Sequence, residues 1–423
     1  MALELKYGQG TISIELPQSA DVDILEPNPV RPVSSLKGAL TSAFANLDKN
    51  NADLLPELRQ KETVAIAIPD ETRPLPVIKI LPLILDWLFA KIPDLIPERV
   101  TILVGGGLHP PVDKETLERL VPPKIVQGCH VLSHDAINSQ MVDYGTTERG
   151  TPVLVNSAFA TADYKIVVGQ IDPHQFVGFT GGCKGVIIGC GGESTIEHNH
   201  SLMFHDDARV GVLDGNPVRE DLNEAGEMVG IDLSVNFVMA PNKDIVRVLI
   251  GRPLDTLREG ALSCAALYGV GIDDSYDIIV ASCGGHPKDI CLYQAQKGLN
   301  LASQALKAGG NILLLAASPQ GVGDDVYFDY VSQFTSPEEV LADFRKQGFR
   351  MGAHKAYLFG RTLSRFDVAV FSELDAGVLQ KCHLRAADPS EIISEWVENF
   401  DGRPRIGIIP NANTTYFYKQ GQQ

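Results

Sequence analysis

Apolar residues in this chain gather in short unbroken runs instead of alternating with polar ones. Residues 63–68 read TVAIAI, 100–104 VTILV, 164–168 YKIVV and 276–281 YDIIVA; later runs are 311–316 NILLLA, 367–371 DVAVF and 405–409 RIGII. Five or six apolar residues with no polar face predict a strand covered on both sides, as in a parallel sheet flanked by helices. Helical periodicity fills the gaps, for example at 114–120 after Asp113 and at 300–307 before Gly309-Gly310. Strands alternating with helices predict an α/β protein.

At 423 residues the chain is too long for one ordinary core, so two α/β domains with mainly parallel sheets are expected. The weak strand signal across 251–274 places the boundary there. A first domain over 1–268 and a second over 275–392 follow from it.

The polar residues of interest stand directly after the predicted strands. Asp70 and Arg73 follow the first; Gly105, Gly106, Gly107 and His109 follow the second; Asp172 and His174 follow the third. His286, Lys288 and Asp289 follow the run at 276–281. That edge of an open α/β sheet is where ligands bind, on loops held by a rigid scaffold.

Charge narrows the partners. A formal net charge of −17 and a pI near 5.0 repel nucleic acid and anionic lipid, so neither is expected. An anionic substrate needs positive groups gathered locally. The 7 cysteines form no CxxC pair, which disfavours structural zinc and a disulfide framework and suits a reducing, cytoplasmic setting. The opening MALELKYGQGTISIELP does not read as a signal peptide, and no apolar run is long enough to span a membrane.

The densest chemistry lies in DPHQFVGFTGGCKGVIIGCGGESTIEHNH, residues 172–200, where His174, Lys184, His198 and His200 stand among seven glycines. Glycines admit a ligand close to the backbone, and a lysine among them can form a covalent adduct; a solvated lysine in a flexible loop is the plain alternative. The spacing of Gly178 and Lys184 imitates a phosphate-binding GxxxxGK loop. However, Cys183 replaces the second glycine and Gly185 the hydroxyl residue, which excludes that reading. Residues 193–203 read as a helix. His198 and His200 then point about 200° apart, so one faces the site and the other is structural. One histidine cannot hold a metal alone, and the other donors must come from elsewhere.

Other motifs offer acid–base and anion-binding groups. GGGLHPP, residues 105–111, sets His109 in a stiff turn; with His174 it can form an acid–base pair, although a lone histidine more often just satisfies a turn. DETRP, residues 70–74, puts Asp70 beside Arg73, a bidentate grip for a carboxylate or else a surface ion pair. GGHPKDICLYQAQKG, residues 284–298, sets Gln294 and Lys297 on one helical face, where Lys297 is either a solvated helix lysine or an anion ligand.

Together these motifs resemble the nickel-pincer lactate racemase family across most of the chain. The resemblance implies two α/β domains flanking an interdomain cleft, with residues 395–423 returning to the first domain. It implies nickel held by a pyridinium-3-thioamide-5-thiocarboxylate mononucleotide, the nickel-pincer nucleotide, covalently attached at Lys184, with His200 as the protein's metal ligand. By motif match His109 and His174 are the acid–base pair. Arg73 and Lys297 bind the substrate carboxylate, and Asp70 and Gln294 support cofactor and substrate. The implied reaction is racemisation of a lactate-like 2-hydroxyacid by reversible hydride transfer. Cofactor-biosynthesis enzymes are implied partners, since nothing in the chain reads as able to build the pincer. Val177 and the region of Tyr357 are expected to shape the pocket.

Three rivals are weighed against this. A nicotinamide-type 2-hydroxyacid dehydrogenase needs a strand–GxGxxG–helix unit, which is missing. A non-catalytic nickel or cofactor carrier has no use for two acid–base histidines. A magnesium-dependent carbanion racemase needs clustered carboxylates where this chain has histidine and lysine.

Overall fold

The computed structural model describes residues 2–27, 29–50 and 62–419. It divides into two units, Pro29–Leu267 and a second made of Met1–Asn28 with Tyr268–Gln423. Both are α/β, each around a six-stranded, largely parallel sheet.

In Pro29–Leu267 the sheet runs Ile245–Gly251, Leu233–Met239, Tyr164–Gln170, Val64–Pro69, Val100–Gly105, His130–Ser133 from edge to edge. All neighbours pair in parallel except the first two, which are antiparallel. Strand order therefore runs outward in both directions from the middle. It reverses between Val64–Pro69 and Tyr164–Gln170, the place where a doubly wound sheet opens a crevice for ligands.

The residues of Val64–Pro69 explain what packs on each face. Val64, Ile66 and Ile68 join a core with Ile80, Leu81, Ile84 and Leu88 of the helix Val77–Lys91. The intervening Ala65 and Ala67 are small and fully buried, and the short helix Lys184–Ile187 packs against this strand. Large residues on one side and alanines on the other let that helix lie close to the sheet.

In the second unit the order is Arg385–Ala386, Asp367–Phe371, Leu306–Leu315, Tyr276–Ser282, Arg405–Ile409, Asp21–Ile24, every pair parallel. The hairpin of Ala2–Tyr7 and Gly10–Glu15 contributes Leu5 and Ile14 to the core of this sheet.

Most strand runs are found where the apolar pattern puts them, and the helix Lys114–Leu120 starts at Asp113, whose carboxylate accepts from Thr116 N–H. Three expectations are corrected. Residues 395–423 do not return to the first sheet: Arg405–Ile409 lies between Tyr276–Ser282 and Asp21–Ile24, and it is the N-terminal segment that crosses over. Residues 300–307 are not a helix of their own; the helix is Leu292–Ala302, and Leu306–Leu315 is a strand whose glycine pair is an internal irregularity. Gly310 is needed there because a Cβ would press on the carbonyl of Asp277 at 2.8 Å. The stretch 251–274 holds the helix Pro253–Tyr268 and a strand, Gly269–Ile272, paired with Tyr416–Lys419. Among the described residues no helix is long and apolar enough to cross a membrane.

Candidate functional site

Loops after Val64–Pro69, Val100–Gly105 and Tyr164–Gln170 converge where the strand order reverses, and they line a pocket there. It encloses about 680 Å³ including the part open to solvent. Asp70, Arg73, His109 and Lys184 all line it, with Gly105, Gly106, Gly107, Gly181 and Gly182 forming much of its wall.

Asp70 is the anchor of the first loop. It is 6% exposed, accepts from Thr72 Oγ1 at 2.5 Å, and its Oδ2 lies 2.8 Å from His109 Nδ1. Burial would raise its pKa, but the hydrogen bonds from His109 and Thr72 outweigh burial and hold it below the usual carboxylate value. The same bond raises the pKa of His109 against partial burial. An ionised Asp70 accepts Nδ1–H of a neutral His109 and leaves the lone pair on Nε2. His109 is half-exposed, so that nitrogen remains reachable. Arg73 is exposed on the same loop, its N–H donating to Asp70 O at 3.3 Å.

Lys184 opens the short helix after a tight glycine turn. Gly181 has φ +87°, and a Cβ there would meet Ile171 at 2.5 Å, so a side chain is excluded on both counts. Part of the Lys184 surface opens to the pocket, yet its dense surroundings strip water from the ammonium. Burial first, then the charges of Arg73 and Arg219, push its pKa down to about 7. An amine that is half neutral at physiological pH is a competent nucleophile.

His174 and His200 form a second group outside the pocket lining. His174 ends the strand Pro173–His174, paired with Gly178–Phe179, and its Nδ1 accepts from Val177 N–H at 3.3 Å. Phe176 lies between the two histidines, its ring edge-on at 4.7 Å from His174 and 5.3 Å from His200. His200 is 8% exposed on the helix Glu193–Ser201. That helix is fixed beside it by Asn199, whose amide donates to the buried Asp221 at 2.7 Å. His198 points elsewhere, onto the carbonyl of Arg149 at 3.1 Å, as the helical spacing requires. The helix is two residues shorter than expected, with a 3₁₀ turn at Leu202–Phe204.

Gln294 and Lys297 lie in the other unit on the helix Leu292–Ala302, the first exposed and the second partly buried. Val177 and Tyr357 are core residues, 0% and 1% exposed, and neither side chain lines the pocket. This corrects the expectation for Val177; Tyr357 belongs to the unit that holds Tyr268–Gln423.

Sequence reasoning missed Arg219. It is fully buried on the helix Pro217–Val229 and donates to the carbonyls of Val177 at 3.3 Å, Gly181 at 3.4 Å and Phe179. The available signal was an arginine directly beside Val218 on the apolar side of an amphipathic helix. Gln170 and Thr180, also pocket residues, were missed because single polar residues at strand ends carry no motif.

Among the described residues no three His, Cys, Asp or Glu side chains come together as a metal-binding group. A metal here would need donors beyond the side chains that these residues bring together.

Comparison with known proteins gives a consistent picture. The family model of the lactate racemase N-terminal domain matches residues 7–211, and that of the lactate racemase C-terminal domain matches residues 273–413. Lactate racemase of Lactiplantibacillus plantarum is 28% identical over 425 residues, covering 97% of this chain and 98% of its own. Lactate racemase of Thermoanaerobacterium thermosaccharolyticum is 27% identical over 355 residues, covering 82% and 81%. Among solved structures, the lactate racemase apoprotein of that organism matches with a TM-score of 0.87 at 24% identity, over 99% of this chain and 100% of its own. A protein from Thermotoga maritima matches with 0.61 at 17% identity, over 93% and 100%. At these identities the two structures speak for the fold.

Proposed function

The chain belongs to the lactate racemase family of isomerases, and from that premise we propose that it interconverts the enantiomers of a lactate-like 2-hydroxyacid with a nickel-pincer nucleotide tethered at Lys184. The observation that carries this reading is the single pocket at the sheet's reversal point that unites Asp70, Arg73, His109 and Lys184.

The residues present suit such a group. Lys184 offers a near-neutral amine, glycines form much of the pocket wall, and His200 is a buried histidine donor, while no metal-binding group of three His, Cys, Asp or Glu occurs among the described residues. Lys184 is the point of attachment and His200 the protein's nickel ligand. When bound, the pyridinium nucleotide supplies an acceptor for the α-hydrogen with its electron pair.

The chain's own residues handle protons and charge. His109, neutral and with its lone pair on Nε2, takes the substrate hydroxyl proton, and the ionised Asp70 stabilises the imidazolium that forms. Arg73 grips the carboxylate through a two-pronged contact. Lys297 and Gln294 are assigned to substrate binding as well. His174 presents Nε2–H in its neutral form, because Nδ1 accepts from Val177 N–H. To take a second proton it must release that contact, which at 3.3 Å is long and weak. His174 is the partner histidine that, once protonated, returns the hydroxyl proton to the substrate oxygen as the α-hydrogen is restored to the opposite face. Together the cations locally offset a chain charge of −17.

All 7 cysteines are free thiols, which supports a cytoplasmic location, and the nucleotide's assembly calls for separate biosynthetic enzymes as partners. The test is intact mass and metal analysis of protein co-produced with those enzymes. A mass adduct mapping to Lys184 with about one nickel per chain is expected. An active racemase with an unmodified Lys184 overturns the reading.

A further inference from the structure

The buried arginine that supports the glycine turn has a consequence for the amine beyond that turn. Arg219 is 0% exposed, and among the described residues its side chain donates to main-chain carbonyls alone: Val177, Phe179 and Gly181. The nearby carboxylate of Asp221 is already engaged by Thr147, Thr151 and Asn199. A buried cation is expensive to keep without a counter-charge, and three neutral carbonyls could be satisfied by a less costly arrangement. Its placement points to a reason for keeping the charge.

The Gly181 carbonyl is shared. It accepts from Arg219 Nη1 at 3.4 Å and from the backbone N–H of Lys184 at 3.4 Å, so one peptide unit separates guanidinium and lysine. The helices that carry them pack together, and Gly226 makes the approach close, since a Cβ there would overlap Cys183. The Val177 carbonyl held by Arg219 belongs to the residue whose N–H orients His174. Both ends of the 174–184 loop therefore depend on this one side chain.

We propose that Arg219 is the positioning residue of Lys184: it fixes the turn from which the lysine projects and places a second positive charge behind its amine, keeping that amine reactive before any cofactor is attached. The inference deepens the reading of Lys184 as the attachment point and stands apart from it, because it concerns the unloaded protein. The charged and titratable groups around the amine are Arg73 on the loop after Val64–Pro69, Arg219 on Pro217–Val229, Asp70 and His109 across the pocket, and the thiols of Cys183 and Cys190. The two cations act in the same direction as burial, lowering the amine's proton affinity.

The experiment is competitive acetylation of the unloaded protein between pH 5 and 10 with trace acetic anhydride, with peptide mass spectrometry at Lys184. The neutral amine attacks the anhydride, forming an amide and releasing acetate and a proton, so the rate reports the neutral fraction. Wild type is expected to show a midpoint near neutrality. Folded R219Q should shift it upward, with labelling at pH 7 reduced several-fold, whereas R219K, which keeps the charge, should stay near wild type. A folded R219Q with the wild-type midpoint overturns the electrostatic role. If R219Q does not fold, R219K decides the positioning role: lacking the planar fork, it should speed backbone hydrogen exchange across residues 177–184, and unchanged exchange there refutes it. Failure of the tether reading would appear separately, as Lys184 reactive in this assay but unmodified in the loaded enzyme.

Discussion

His109 Nδ1 stands 2.8 Å from Oδ2 of Asp70, a carboxyl only 6% exposed. The bond does two things: it directs the lone pair of the neutral imidazole to Nε2, and it favours the imidazolium by raising the His109 pKa. A base that becomes an acid within one cycle needs both. D70N should retain a hydrogen bond but lose the charge, lowering the His109 midpoint in an NMR titration and cutting turnover by about 10²-fold or more. A D70N enzyme with wild-type turnover removes Asp70 from the catalytic assembly.

The same pair sets a stability window. His109 is raised on folding, so its contribution is complete below its unfolded value of 6.5 and fades as pH climbs through the raised value. Asp70 is lowered, so its contribution is present above 3.8 and fades as pH falls through the lowered value. Both charges coexist most fully between about pH 4 and 6.5. The Tm gap between wild type and D70N is expected to be widest there and to narrow toward pH 8; a gap that widens with alkali contradicts the assignment.

Lys184 shows the opposite sign. Folding lowers its pKa from 10.5 to about 7, so between those values the unfolded chain holds a proton that the folded chain has given up. Stability then rises with pH across that window. K184M removes the buried ammonium and should raise the Tm of the unloaded protein most at pH 6, with the advantage shrinking toward pH 10. Thermal melts at four or five pH values decide this, and a constant offset would count against a desolvated amine.

Arg73 is exposed on the pocket loop and has room for a two-pronged carboxylate contact. R73K keeps the charge but not the fork, and is expected to raise KM on the order of tenfold; R73Q should lose 10- to 100-fold in kcat/KM. R73Q also removes a cation that acts on Lys184, so acetylation of that amine at pH 7 should slow in parallel. Unchanged KM in R73K would mean that the carboxylate is held elsewhere.

The sheets were legible because buried parallel strands write themselves as unbroken apolar runs, as TVAIAI and VTILV do. Asp70, Arg73, His109 and Lys184 were legible as the residues just past those strands, and the fold does bring them into one pocket. What sequence could not reveal was long-range pairing. Arg405–Ile409 fits either sheet by its pattern, and only its partners Tyr276–Ser282 and Asp21–Ile24 assign it. Arg219 was hidden for a related reason, since its partners are carbonyls about 40 residues away and carbonyls leave no trace in a sequence.

Glycine at 178 is a geometric requirement. Its φ is +77°, and a Cβ would fall on the carbonyl of Val212. G178A combines left-handed strain with a backbone clash and should cost at least about 1–3 kcal/mol. Because Gly178 pairs with His174 across the hairpin, activity should fall further than the loss of folded protein explains. Melting curves together with turnover per folded molecule test this, and G178A with wild-type Tm and turnover would show the loop to be more forgiving than its geometry.

On the proposed reading, the route of the α-hydrogen is what would separate this enzyme from a carbanion racemase. That hydrogen is barely acidic, and the pocket is lined by one imidazole and two cations, with no metal-holding cluster of carboxylates among the described residues. His109 is suited to the hydroxyl proton, which exchanges with water in any case. If the α-hydrogen leaves with its electron pair and returns from the same bound acceptor, it never meets solvent. Racemisation in D₂O should then yield product that retains protium at the α-carbon, visible as an undiminished α-proton signal after full conversion. H109A and H174A should each slow the reaction by about 10²–10⁴-fold while leaving that retention intact, because they move only the hydroxyl proton. Deuterium entering the α-position at the rate of racemisation would mean that a base in this pocket takes the carbon-bound proton, and that the histidines act on carbon instead of oxygen.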